Sequence, residues 1–201
     1  MIRYYSILFT FCFLISCQNN RTQNYPNFKR KFNSSEYKIK DKIDFSFKIP
    51  NSWNEIEVNG IDSDVSVFVN SLNDTITSDY GWYSNNLEED LPTLYTKTDY
   101  DKLSQKEKNN LKENEYVIVE DYNNFDDKGI SKSLSKFYVL DNKKAKIVNP
   151  KLSGIGITGV YFEKLYKERG NYMNLNLYGY NVKKETGEEI LNVISTIKFK
   201  R

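Results

Sequence analysis

The sequence predicts an α+β domain, a largely antiparallel β-sheet covered by helices, behind a processed leader and a tether. Three observations carry that expectation. Ile43, Phe45, Phe47 and Ile49 alternate with Asp44, Ser46 and Lys48 up to Pro50, the period of a strand with one buried face. Short runs of similar character recur along the chain, parted by Asn, Asp and Gly. Near the end, Ile190, Val193, Ile194 and Ile197 share one stripe at helical spacing, and a helix striped in this way has to lie on a sheet.

After Pro50 the chain turns through Asn51 and Ser52. Residues 53–58 and 65–70 read as strands, with Asn59-Gly60 as a hairpin-type turn between them. Within 85–113, Leu87, Leu91, Leu94 and Tyr95 recur at helical spacing, and Glu88-Glu89-Asp90 fit the acidic first turn of that helix better than a catalytic carboxylate pair. Ser104 and Glu107 spell a capping box for a second, short helix. Strands are expected again over 116–120, 133–140, 154–162 and 172–180, with turns at 126–129, 141–142 and 169–171. Thr186 and Glu189 form another capping box, opening the closing helix.

Composition bounds the chemistry. A chain of 201 residues, less leader and tether, suffices for one domain, and 12 Phe, 16 Tyr and 2 Trp supply large buried areas for its core. Basic and acidic residues number 29 and 27, and they are dispersed, so no electrostatic footprint for nucleic acid is present. Histidine is absent, which removes Ser-His-Asp, Cys-His and histidine-ligated metal chemistry. Cys12 lies in the leader, leaving Cys17 without a disulfide partner in the mature chain.

The leader has Arg3 and an apolar run from Ile7 to Ile15, of signal-peptide length and short for a membrane span. Leu14-Ile15-Ser16-Cys17 resembles the lipobox of bacterial lipoproteins. That resemblance implies cleavage after Ser16, so that residues 1–16 are removed, and lipidation of Cys17. Two or three acyl chains then anchor the protein stably, which one chain alone does not do. Gln18 in place of Asp resembles the outer-membrane sorting pattern of Gram-negative lipoproteins, and the lack of an acidic cluster after Cys17, unlike the surface-export signals of some such bacteria, implies a periplasm-facing attachment. Residues 17–35 are polar and aperiodic and read as a flexible lipidated tether, leaving 36–201 as the single α+β domain.

Phe45-x-Phe47-x-Ile49-Pro50-x-x-Trp53, together with Glu189-Ile190-Leu191-x-x-Ile194-Ser195-x-Ile197-x-Phe199, resembles the two ends of PsbP/Mog1-like α/β sandwich domains. The resemblance implies a fold used for accessory and binding roles and transfers no catalytic residue.

Other constellations have plainer readings. Asp126 and Asp127, near Asn123 and Asn124, lack the spacing of a calcium loop and read as a solvated turn. Gly154, Gly156 and Gly159 form a G-x-G-x-x-G string with no helix after it, which points to a bulge or close approach in a strand rather than to a dinucleotide. Asp74-Thr75-Ile76 resembles a short O-glycosylation tripeptide. Tyr172, Tyr178 and Tyr180 share one strand parity opposite Met173, Leu175 and Leu177 and are the candidate binding face.

The expectation is therefore a non-enzymatic envelope lipoprotein without cofactor or metal, acting as an accessory or binding module for an envelope protein or glycan. The alternatives are an immunity or inhibitor lipoprotein that blocks a toxin or hydrolase, and a carboxylate-dependent glycan-acting enzyme.

Overall fold

The computed structural model describes residues 35–58, 60–89, 92–111, 116–124 and 131–200, together with a short strand at 23–24. The strands of the first half are β1 (Gln23–Asn24), β2 (Tyr37–Asp41), β3 (Phe45–Pro50), β4 (Asn54–Ile56), β5 (Ser63–Val69), β6 (Thr75–Gly81) and β7 (Thr93–Thr96). Two short helices follow, α1 (Lys97–Lys102) and α2 (Gln105–Asn110). Then come β8 (Tyr116–Val119), β9 (Ser133–Leu140), β10 (Lys143–Pro150), β11 (Ile157–Glu168) and β12 (Asn171–Tyr180), before α3 (Lys184–Ser195) and β13 (Lys198–Phe199).

The architecture is β-rich and sheet-dominated α+β. One eight-stranded sheet runs β1-β9-β10-β11-β12-β6-β5-β4 and is antiparallel except where β1 joins β9. Its second layer is the small sheet β13-β3-β2 together with α3. Of the three helices among the described residues, only α3 carries buried residues, so the cover is one helix and a second sheet rather than several helices.

The core lies between these layers. Phe45, Phe47 and Ile49 of β3 meet Phe68, Tyr80, Phe162, Leu175 and Leu177 of the large sheet, and Ile190, Val193 and Ile194 of α3 complete the contact. Gly179 allows the helix to approach: a Cβ there would stand 2.6 Å from Ile190 Cδ1.

Several expectations need correction. Ile43 is 85% exposed, because the Lys42 N–H closes a turn onto the Phe45 carbonyl (2.9 Å) and β3 begins only at Phe45. The strand expected over 53–58 is the short, exposed β4, although Trp53 before it is buried. Thr186 and Glu189 do not cap α3, which starts at Lys184. Asp74 of the β5–β6 turn stands beside this helix start, accepting from the Lys183 N–H (3.2 Å) and the buried Thr186 hydroxyl (2.6 Å).

No helix forms at Leu87. The Asn85 side-chain oxygen takes the Leu87 N–H (2.7 Å) and that of Asn86 takes the Glu88 N–H (3.1 Å), so local Asx turns displace helical bonding and Leu87 adopts φ +57°. Leu94 and Tyr95 belong to β7. Glu89 is no helix start either: its carboxylate accepts from the Ser133 N–H (3.0 Å) and hydroxyl (2.6 Å), clasping the point where β9 begins. Asp90, Leu91, Asn59 and the 126–129 turn lie outside the described residues. The Ser104–Glu107 capping box opens α2 as expected.

Candidate functional site

The face of the large sheet away from α3 is only partly covered. Register places Phe137, Lys146, Tyr161, Asn176 and Asp79 in one row across β9, β10, β11, β12 and β6. A neighbouring row contains Val148, Gly159 and Tyr178. Leu87 plugs this second row, buried with Val148 and Ile157 and packed against Tyr161 and Tyr178. Gly159 makes the seat, since a Cβ there would lie 3.0 Å from Leu87 Cδ1 and 2.5 Å from Tyr178 Cβ.

Beside the plug the face opens into a groove with two lobes. The larger, about 530 Å³, has Phe137, Lys144, Lys146 and Tyr161 on its floor and Asn86 and Glu88 on its rim. The smaller, about 230 Å³, is bounded by Trp82, Tyr83, Tyr172, Asn171 and Asn174. Tyr161 and Glu163 line both lobes and join them. A separate hollow at Tyr37, Pro50, Asn51 and Glu189 has a single aromatic wall and offers less for recognition.

A bulge shapes the junction. Pairing of β11 with β12 slips between Phe162 and Tyr166, Lys164 takes φ +54°, and its N–H donates to the Asn174 side-chain oxygen (2.9 Å). Glu163 and Lys164 pair at 2.9 Å, and the carboxylate raises the Lys164 ammonium above its ordinary value. Burial, then the Glu163 carboxylate, raises the Tyr161 phenol, with Glu88 adding to the shift and Lys164 opposing it. At neutral pH Tyr161 therefore presents an O–H donor to the groove. Lys144 sits 4.3 Å from the Phe137 ring centre, and Lys146 donates to the Asn86 carbonyl (3.1 Å).

The three tyrosines expected to form one face are divided. Tyr172 lines the smaller lobe, Tyr178 is half-buried beneath Leu87, and Tyr180 is exposed at the far end of β12, beside Ile157. Phe137, Tyr161, Trp82 and Tyr83 were not singled out from sequence. Tyr161 shares the parity of Gly159 opposite buried Val160 and Phe162, and this was the available signal. Ser16 and Cys17 lie outside the described residues. Gly154 and Gly156 occupy the β10–β11 turn at φ +85° and +101°, and β11 follows them where a dinucleotide fold would have a helix.

Among the described residues no three Asp, Glu, His or Cys side chains gather to hold a metal ion, and no helix is long and apolar enough to cross a membrane. Comparison with known proteins finds no family model that matches this chain and no curated protein significantly similar to it.

Proposed function

We propose that this chain is a non-enzymatic lipoprotein of the cell envelope, anchored in the outer membrane through Cys17, facing the periplasm and binding a glycan in the two-lobed groove. The groove carries the reading. Aromatic rings at Phe137, Tyr161, Trp82 and Tyr172 line it together with the amides of Asn86, Asn171 and Asn174. Such rings stack on the C–H faces of sugars while amides and the Tyr161 hydroxyl bond to their hydroxyls. The lipobox-like residues Leu14 to Cys17 support the address. A PsbP/Mog1-like scaffold is supported by the contact between its two signature ends, where the buried Trp53 indole N–H donates to Glu189 of α3 (3.0 Å).

Trp82 makes the groove testable by fluorescence, since the other tryptophan, Trp53, is buried in the core. Titration with soluble cell-wall glycan fragments should change the emission saturably, and Trp82→Phe should remove the response. Tyr161→Ala should weaken binding at least tenfold. Absence of any saturable change, with no retention on immobilised glycan, would refute the glycan reading. Separately, Cys17→Ser should abolish lipid labelling and release the protein from the membrane fraction, and unchanged labelling would refute the anchor.

A second reading, carboxylate-dependent glycan cleavage, is favoured by one observation: Glu88 and Glu163 line the same lobe beside Tyr161. Against it, their side chains are 72% and 60% exposed and each has a lysine nearby, whereas an acid catalyst needs a desolvated carboxyl. Turnover of a bound glycan that disappears in Glu163→Gln would establish this reading instead.

A further inference from the structure

Gln23 and Asn24 add to the edge of β9 in parallel, opposite Tyr138 and Val139. Because the pairing is parallel, the Gln23 side of this short strand faces the Ser133 end of β9. Six peptide steps separate Gln23 from Cys17 and reach at most ~21 Å. The stretch of β9 from Tyr138 back to Ser133 is about 17 Å at the rise of a strand. Cys17 is therefore within reach of that end of the sheet.

What stands at that end is distinctive. The Lys151 N–H bonds to the Lys132 carbonyl (2.8 Å), which fixes the β10–β11 turn against the start of β9. Within the turn Leu152 bridges to Ile155, yet both side chains are exposed, Leu152 at 67%. Leu134 at the start of β9 and Tyr180 at the end of β12 are exposed too. Lys132 and the exposed Lys151 flank these apolar groups. Aliphatic tips and a tyrosine, with two lysines at the same corner, match the acyl boundary and anionic headgroups of a bilayer.

We infer that this corner is a membrane-docking surface: Leu134, Leu152, Ile155 and Tyr180 enter the lipid interface, Lys132 and Lys151 meet anionic headgroups, and the domain lies on the bilayer. This rests on the reading that Cys17 is lipid-anchored. Placing the corner on the membrane sets the strands of β9 to β12 steeply to its surface. The smaller lobe of the groove, near the β11–β12 turn, then points away from the lipid.

The test is amide hydrogen exchange on the full mature protein, in vesicles of phosphatidylglycerol and phosphatidylethanolamine and, unanchored, as the Cys17→Ser chain in solution. Exchange across 151–156 should slow at least fivefold on vesicles, while 60–62 and 82–83, at the opposite end of the sheet, stay unchanged. The double variant Leu152→Asp/Ile155→Asp, checked for native melting, should keep its acyl anchor and lose that protection. Equal exchange of both ends on vesicles and in solution, or protection in solution that grows with protein concentration, would overturn the inference. Mass spectrometry of Cys17 decides the anchor independently. If the thiol is unmodified, coupling it to maleimide-bearing lipid supplies an equivalent anchor, and the same protection pattern decides the corner.

Discussion

The Tyr80 hydroxyl donates to the Asp44 carboxylate at 2.5 Å, both residues being buried, and so ties the end of β6 to the turn between β2 and β3. A carboxylate buried in a sandwich core depends on such donors, because desolvation without them is costly. Tyr80→Phe keeps the ring that packs against Phe45 and removes only the donor. We expect a loss of about 1–3 kcal/mol, seen as a lower urea midpoint with unchanged slope. A neutral variant would mean that the bond does not contribute.

Asp141 closes the β9–β10 turn and holds the chain end. Burial alone would raise its carboxyl, but the Lys198 ammonium (2.9 Å) and the Phe199 N–H (2.7 Å), with Lys143, bring it below its ordinary value of 3.8. A carboxylate depressed by folding contributes stability that is complete above the unfolded value and is lost as pH falls through the folded one. Asp141→Asn keeps a residue tolerant of the positive φ found there, so the turn survives. The variant should be less stable at pH 7, and its deficit should shrink below about pH 4. Melts from pH 7 to pH 2.5 that run parallel would contradict the clasp.

Leu87→Ala should unseat the plug on the open face of the sheet, costing about 2–3 kcal/mol through the cavity it leaves over Val148 and Tyr178. Because the seat adjoins the groove, ligand-dependent Trp82 emission should weaken in the same variant. A variant with unchanged stability would show that the 84–89 segment lies off the sheet.

Ile194 is fully buried between α3 and the sheets. Ile194→Asp places a carboxylate in an apolar layer and should cost several kcal/mol, comparable to the whole stability of a domain this size. Glu188→Ala, on the first turns of α3 outside the apolar stripe, should shift stability by less than about 1 kcal/mol. Equal melting temperatures would contradict the packing of α3.

What could be read beforehand was whatever local periodicity encodes. Phe45, Phe47 and Ile49 announce β3, the Ile190 stripe announces α3, and Ser104 with Glu107 announces α2. β6 escaped because its buried face carries Ser78 between Ile76 and Tyr80, which blurs the apolar alternation. The Leu87 region misled because leucines at helical spacing were outcompeted by two asparagine side chains. The groove was legible only at Tyr172. Phe137, Tyr161 and Trp82 meet through the strand order β9-β10-β11-β12-β6, a long-range property that no window of sequence contains.

The clasp of Glu89 on Ser133 separates two parts of the molecule. Between its ends the chain makes an excursion in which, among the described residues, β7, β8 and α1 contact chiefly one another. With the neck fixed, the sheet senses the excursion mainly through the entropy of closing a loop, which changes by only about 0.6 kcal/mol for each doubling of length. This stretch can thus diverge, shorten or be exchanged at little cost to the host. A chain with 92–124 replaced by a short Gly-Ser bridge should still fold around the same core, which makes the neck the natural port for new recognition elements.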